Sequence, residues 1–208
     1  MLFRSNVIAI RPGIDVTRFS RLPPPPKPFT LLMGSAPWTI AQFESKGVEA
    51  LLEVAQVRQD LRMIFLWRGL HVEEMERRVV QRGLGKQVTV INQPVDVNEV
   101  LAQVHAAVVL ARDIRLVKAY PHSLLEALAA GRPVLVSRAV PMADYVEETG
   151  CGAIVESVSV QQVLEALARL ESNYESCRET ALKVGQDFSQ DRLIKAYQQL
   201  YASIPSAP

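Results

Sequence analysis

A single carboxylate, Glu126, stands inside the apolar run Leu124-Leu125-Glu126-Ala127-Leu128-Ala129-Ala130. An ionised carboxylate accepts several hydrogen bonds at once, so one placed near a helix start among small and apolar residues suits a ligand rich in hydroxyls. The same stretch carries Lys118 and His122. His122 follows Pro121 at the helix start and could hydrogen-bond a ligand; a surface histidine is the plainer reading. A second candidate lies in Gly34-Ser35-Ala36-Pro37-Trp38 and onward to Ser45-Lys46-Gly47. This segment is longer than the usual connection, and long ordered loops are more often functional. Its end abuts a predicted helix, whose first N–H groups and dipole favour an anion. Lys46 would add a point charge for a phosphate. Alternatively, Lys46 is solvated and Ser45 caps the helix. A third candidate is Arg68-Gly69, where glycine permits close approach of a ligand. A plain turn is the simpler reading there, as it is for Asn92-Gln93-Pro94, a polar turn that could offer backbone groups to a base.

Other chemistries find little support. His71 and His105 fall on predicted helix positions with no acidic partner in motif spacing, which suits structural or surface roles. The chain shows no serine-hydrolase elbow, no Walker loop and no zinc-ligand pattern. Gly150-Cys151-Gly152 precedes a strand and opens no helix, so it is not a dinucleotide fingerprint. Cys151 and Cys177 sit in no metal-ligand spacing and read as buried free thiols in a reduced, cytoplasmic setting.

The elements that must position these residues alternate along the chain. Phe29–Met33 reads as a strand and Val48–Val57 as a helix. Met63–Trp67 is a strand, Val72–Arg82 a helix, Val88–Ile91 a strand and Asn98–Val104 a helix. Ala107–Ala111 is a strand, Ser123–Ala130 a helix stopped by Gly131, and Val134–Ser137 a buried strand. Met142–Glu148 is a short helix and Ala153–Val155 a strand. Ahead of these lie a short strand candidate, Val7–Ile10, and a stiff connector, Pro23–Pro26. From Val160 the pattern is helical only, ending in a stripe of Leu193, Ala196, Tyr197, Leu200 and Tyr201. Such alternation requires crossover connections, hence an α/β, doubly wound, mostly parallel sheet with C-terminal helices. Ligands of such sheets bind beyond the carboxyl ends of the strands, which is where the candidate loops fall.

Composition sets limits. The chain has 208 residues, enough for one sizeable α/β domain, and a formal net charge of +1 that gives no support for nucleic-acid binding. No apolar run approaches the roughly 20 residues of a membrane span. The opening MLFRSNVIAIRPG lacks a signal-peptide pattern.

Together these landmarks resemble the carboxyl-terminal, donor-binding half of a retaining glycosyltransferase of the GT-B class (glycosyltransferases group 1, family 4-like). Leu124-Leu125-Glu126-Ala127-Leu128-Ala129-Ala130-Gly131-Arg132-Pro133-Val134 is similar to that family's LEAMAxGxPV signature. Arg11-Pro12-Gly13-Ile14-Asp15 with Phe19 resembles its interdomain segment. Gly34 and Lys46-Gly47 resemble its first donor loop, and Phe65–Gly69 its strand ending in Gly-x-Gly. The resemblance divides the chain into a linker-like segment with a short strand (1–28), a nucleotide-sugar-binding Rossmann-like domain (29–190), and a C-terminal helix and tail (191–208). It implies that Glu126 binds the donor ribose, that Lys46 holds the diphosphate, and that His122–Ser123 faces the phosphate or the sugar. Gly34, Arg68 and Lys118 join them as substrate-binding candidates. It implies no metal or other cofactor, a nucleotide-sugar ligand, and a glycan or lipid acceptor bound by a separate N-terminal domain. The expected location is cytoplasmic, with the inner face of the membrane as a peripheral seat.

Four positions depart from the family pattern. Lys118, eight residues before Glu126, replaces the acid that grips the donor sugar. Tyr120-Pro121 replaces Phe-Gly, and Pro121 has no N–H to donate. Ser35 replaces the arginine after the first-loop glycine. Lys118 either restores phosphate charge or grips an acidic sugar, or the site has changed or lost its ligand. The leading expectation is therefore a transferase donor domain that is inert alone. Its rival is a binding or interaction module with a degenerate donor site. A sugar-nucleotide epimerase half would share the architecture, but the chain shows none of the acid/base constellation that would favour it.

Overall fold

The computed structural model describes residues 8–67 and 69–204. Six short strands form one sheet: β1 (Phe29–Met33), β2 (Leu61–Leu66), β3 (Val88–Ile91), β4 (Ala106–Val109), β5 (Val134–Ser137) and β6 (Gly152–Val155). Their order is β3-β2-β1-β4-β5-β6, and every pairing is parallel. β1, β4 and β5 are buried at every residue, which is why they read as unbroken apolar runs.

Between the strands run α1 (Ala41–Ser45), α2 (Val48–Val57), α3 (Val72–Gln81), α4 (Val97–Ala102), α5 (His122–Ala129) and α6 (Ala143–Thr149). After β6 come α7 (Val160–Ser172), α8 (Tyr174–Val184) and α9 (Gln190–Ala202). Alternate side chains of each strand point to opposite faces, and two cores result. Leu31, Met63 and Phe65 pack with α2, α3 and α7 on one face. Leu32, Leu66 and Val109 pack with α4, α5 and α6 on the other. Gly131 ends α5 with φ +70°, and a Cβ there would lie 2.4 Å from Leu182 Cδ2.

Several expectations need correction. Residues 8–10 form no strand, and Val7 lies outside the described residues. Ile8 is exposed, so nothing packs there to hold an extended edge. The long segment after β1 contains a helix, α1, anchored by the burial of Phe43. Pro121 is the N-cap of α5, one position before the helix proper, in extended conformation. His71 caps α3 with left-handed backbone, and His105 lies in the turn before β4 rather than on a helix. The final helix starts at Gln190, capped by Ser189, whose hydroxyl accepts from Arg192 N–H. Its Tyr197 and Tyr201 stack on each other and are exposed, while Leu193, Ala196 and Leu200 are half-buried. The segment at Ile14 meets the start of α9: Ile14 N–H donates to Phe188 O (2.7 Å) and Gln190 N–H to Ile14 O (3.0 Å).

Candidate functional site

The strand order reverses between β1 and β4, both of which pair with their outer neighbours on opposite sides. At such a switch point the loops leave in opposite directions and open a crevice. A cleft of about 530 Å³ occupies that place. It is lined by Gly34, Ser35, Trp38 and Lys46 from the segment after β1, by Arg115 and Lys118 from the loop after β4, and by His122, Ser123 and Glu126 of α5. Six candidates from the sequence therefore converge: Gly34, Lys46, Lys118, His122, Ser123 and Glu126. Arg68 lies outside the described residues. Gly69 is described but does not line the cleft; a Cβ on it would lie 3.2 Å from Ala36 Cβ, so its lack of a side chain lets the second loop pack on the first. Asn92, Gln93 and Pro94 do not line it either.

Each side chain is positioned by its local fold. Leu124 and Leu125 N–H both reach the Pro121 carbonyl (3.0 and 3.3 Å). The N–H groups of His122 and Ser123 precede them and have no helical carbonyl to meet. They open α5 toward the cleft, and the positive end of the helix goes with them. Gly34 fits against this helix start: a Cβ on it would lie 3.1 Å from Ser123 Cβ. Glu126 follows Ser123 by three residues and so shares its face of α5. It is half-buried, between Leu125 and Ala127, which point into the core.

Lys46 joins α1 to α2. Gly47 follows it with φ +74°, and a Cβ there would lie 2.6 Å from Leu110 Cδ1. That close approach seats the α1–α2 junction against Leu110, just beyond β4. Lys46 is only 5% exposed. Its ammonium donates to Ser35 Oγ (3.0 Å) and Ala36 O (3.2 Å). Among the described residues no carboxylate pairs with it, and burial alone holds its pKa below the ordinary lysine value. A buried cation whose only partners are neutral oxygens is a receptor for an anion. Lys118 and Arg115 are exposed on the opposite lip; Arg115 is paired with Asp113 (2.7 Å).

Sequence reasoning passed over Trp38 and Arg115. Neither sits in a motif, and only the fold shows that both reach the cleft. Ser35 departs from the family pattern, and the structure makes it a partner of Lys46. Among the described residues no group of histidine, cysteine, aspartate and glutamate side chains could hold a metal ion, and no helix is long and apolar enough to cross a membrane. Both cysteines are buried free thiols, and burial pushes that of Cys151 up to about 11.

A six-stranded parallel sheet with helices on both faces and an anion-adapted crevice at its switch point defines a Rossmann-like α/β domain. The chain belongs to the glycosyl transferases group 1 family, whose model matches residues 38–186. Its fold is that of the carboxyl-terminal domain of GT-B glycosyltransferases, as the sequence resemblance implied. One similar solved structure is WaaG, a glycosyltransferase involved in lipopolysaccharide biosynthesis (20% identity, TM-score 0.71, covering 94% of this chain and 56% of that one). A second is Alr3699/HepE of Anabaena in complex with UDP (15% identity, TM-score 0.75, 92% and 56%). A third is sucrose-phosphate synthase of Thermosynechococcus elongatus (17% identity, TM-score 0.74, 94% and 53%). The chain thus spans about half the length of these relatives. Comparison with curated protein sequences gave no match.

Proposed function

We propose that this chain is the donor-binding half of a glycosyltransferase that takes a sugar from a nucleotide-sugar with retention. On this reading it transfers only together with an N-terminal domain that binds a glycan or lipid acceptor. The observation that carries the reading is the cleft itself, where a buried cation with no carboxylate partner among the described residues, a helix start and a carboxylate meet at the switch point. Lys46 and the His122 and Ser123 N–H groups would take the diphosphate. Glu126 would accept from ribose hydroxyls. Gly34 would let the phosphates approach the backbone, with Arg68 entering from the second loop. Lys118 would meet the phosphates or an acidic group on the sugar. Phosphate charge is then balanced by protein groups, and the reading invokes no metal ion. HepE has been solved with UDP and UDP with glucose, and this supports a nucleotide-sugar as the ligand class. The site of action would be cytoplasmic, at the inner membrane face where the acceptor is a lipid.

Calorimetric titration of the chain with UDP, GDP and ADP tests the reading. Weak saturable binding to at least one is expected, and Glu126→Ala should weaken it by about 1–3 kcal/mol, the worth of hydrogen bonds to a charged group. Absence of binding by all three at millimolar concentration would overturn it. A second reading, a module that no longer transfers, is favoured by the Lys46–Ser35 bond, which occupies the ammonium without a ligand. Sugar transfer after the acceptor-binding domain is supplied would eliminate that alternative.

A further inference from the structure

We infer that Trp38 is a stacking platform for a pyranose ring at the mouth of the cleft. The inference rests on the donor-site reading and adds a residue which that reading does not use. The chain has two tryptophans, and the structure treats them oppositely. Trp67 is 1% exposed, and its indole N–H donates to Leu70 O (2.9 Å). Trp38 lines the cleft yet is 72% exposed. Its mount is nonetheless fixed. Trp38 N–H donates to Gln42 Oε1 (2.7 Å), Ala36 O accepts from Lys46 Nζ (3.2 Å), and Pro37 beside it is buried. Gly69 packs on Ala36 and lies close to Pro37 O. A large apolar face held on a rigid mount and shown to water loses the stabilisation its burial would bring. It also loses little conformational freedom when a ligand covers it.

Chemistry and position select the ligand. The C–H face of a pyranose is flat and apolar, whereas its rim carries hydroxyls; an indole offers a matching flat face and one N–H donor. Trp38 is two residues from Ala36, whose carbonyl meets the Lys46 ammonium. At about 3.8 Å per residue, the Trp38 Cα lies within roughly 8 Å of the Ala36 Cα, and the Ala36 carbonyl is itself 3.2 Å from the Lys46 ammonium. A sugar esterified to the terminal phosphate falls within that reach. The nucleobase lies at the far end of the ligand, beyond the ribose assigned to Glu126.

Trp38 emission can be followed because Trp67 is sealed in the core, and Trp38→Phe supplies the background. The full chain is titrated with UDP, with UDP-glucose, UDP-N-acetylglucosamine and UDP-glucuronic acid, and with glucose alone, with calorimetry in parallel. At least one UDP-sugar should change Trp38 emission well beyond the response to UDP. Trp38→Ala should weaken that UDP-sugar by about five- to tenfold while leaving UDP within about twofold. A response confined to UDP-sugars assigns the pyranose to the donor and supports the platform, whereas a response to glucose with silent UDP-sugars would place the ring outside the donor site and overturn it. An emission change as large with UDP as with every UDP-sugar would mean that the base stacks there and would overturn the proposal. Calorimetric binding of UDP-sugars with silent emission would overturn it too. If calorimetry shows no nucleotide binding at all, the donor-site reading itself fails and the platform for a donor falls with it.

Discussion

The two ends of the sheet treat their polar groups in opposite ways. At the carboxyl ends of the strands, Lys46 is buried with neutral oxygens for partners, and Trp38 is left uncovered. At the amino ends, buried and half-buried cations and rings are held by carboxylates, carbonyls and one another. His105 Nδ1 accepts from Thr30 N–H (3.1 Å), its ring stacks on Phe29 at 4.7 Å, and its carbonyl accepts from Tyr174 Oη (3.1 Å). Arg58 is shared by Asp60 and Glu171 at 2.8 and 3.0 Å. Arg132, 0% exposed, donates to Leu101 O (2.9 Å) and Pro23 O (3.2 Å), the latter in the proline connector. One end spends stability on readiness for a ligand, and the other locks the frame. If that contrast is real, substitutions at the two ends should separate stability from affinity.

The largest effect on folding is expected at Arg132. Arg132→Ala leaves two carbonyls without their donor and a void among Leu101, the connector and Tyr174. We expect a loss of about 2–4 kcal/mol in urea unfolding. Arg132→Met should lose less, because Nη1 of the native guanidinium is buried without a partner among the described residues, and a volume-conserving apolar side chain removes that burden. Nucleotide affinity should stay within about twofold in the methionine variant, since Arg132 is outside the cleft and an effect that far away is normally small. A large affinity loss in that variant would erase the contrast between the ends.

Lys46→Met should do the reverse. Removing a buried cation that has no counter-ion among the described residues should raise the stability of the ligand-free chain, by about 1 kcal/mol. Nucleoside diphosphate affinity should fall by about tenfold or more, because the charge-assisted bonds to phosphate go with it. The pH dependence has a definite sign. Burial lowers the lysine's folded pKa below its ordinary 10.5. Between the two values the unfolded chain holds the proton and the folded chain does not, so stability rises with pH across that window. The native chain should show this rise, and Lys46→Met should not. Diphosphate binding should decline over the same window. A Lys46→Met chain less stable than the native one would mean that the lysine is structural.

How much of this was legible in the sequence depends on how local each interaction is. β1, β3, β5 and α2 fall where apolar pattern places them, to the residue. Lys118, His122, Ser123 and Glu126 lie within nine positions of one another, so one helix start brings them together. Their meeting with Gly34 and Lys46 follows once a parallel sheet is granted, because all the loops after strands share one end. What escaped is held by distant partners. α1 is five residues long and buries only Phe43, which packs on Trp67 at 5.2 Å and under the Arg78 guanidinium at 4.3 Å. Arg132 appears in the sequence only as one residue of the signature stretch; its partners are 31 and 109 positions away. His105 reads as a helix residue because its bond to Thr30 spans 75 positions. Trp38 belongs to no pattern, and only its exposure on an ordered loop marks it.

The smallest expected effect sharpens the frame side of the comparison through pH. His105 must keep Nδ1 unprotonated to accept from Thr30 N–H, while its other nitrogen faces the Pro25 carbonyl in the connector. Burial and the neighbouring Arg132 lower its folded pKa below the ordinary 6.5, Lys27 acts in the same direction, and Glu171 partly offsets them. The unfolded chain therefore takes up a proton first as pH falls through 6.5. Stability contributed by neutral His105 is fully present above that value. It declines below it until the folded pKa is reached, after which both states are protonated and the decline stops. His105→Gln keeps an acceptor without titrating, so the difference between the two chains in urea midpoint should flatten above pH 7 and tilt toward the variant near pH 5. The connector should loosen in step, read as faster amide exchange at Thr30. Parallel acid limbs in the two chains would show that the fold does not lower the His105 pKa, and that the contrast between the two ends does not hold at this residue.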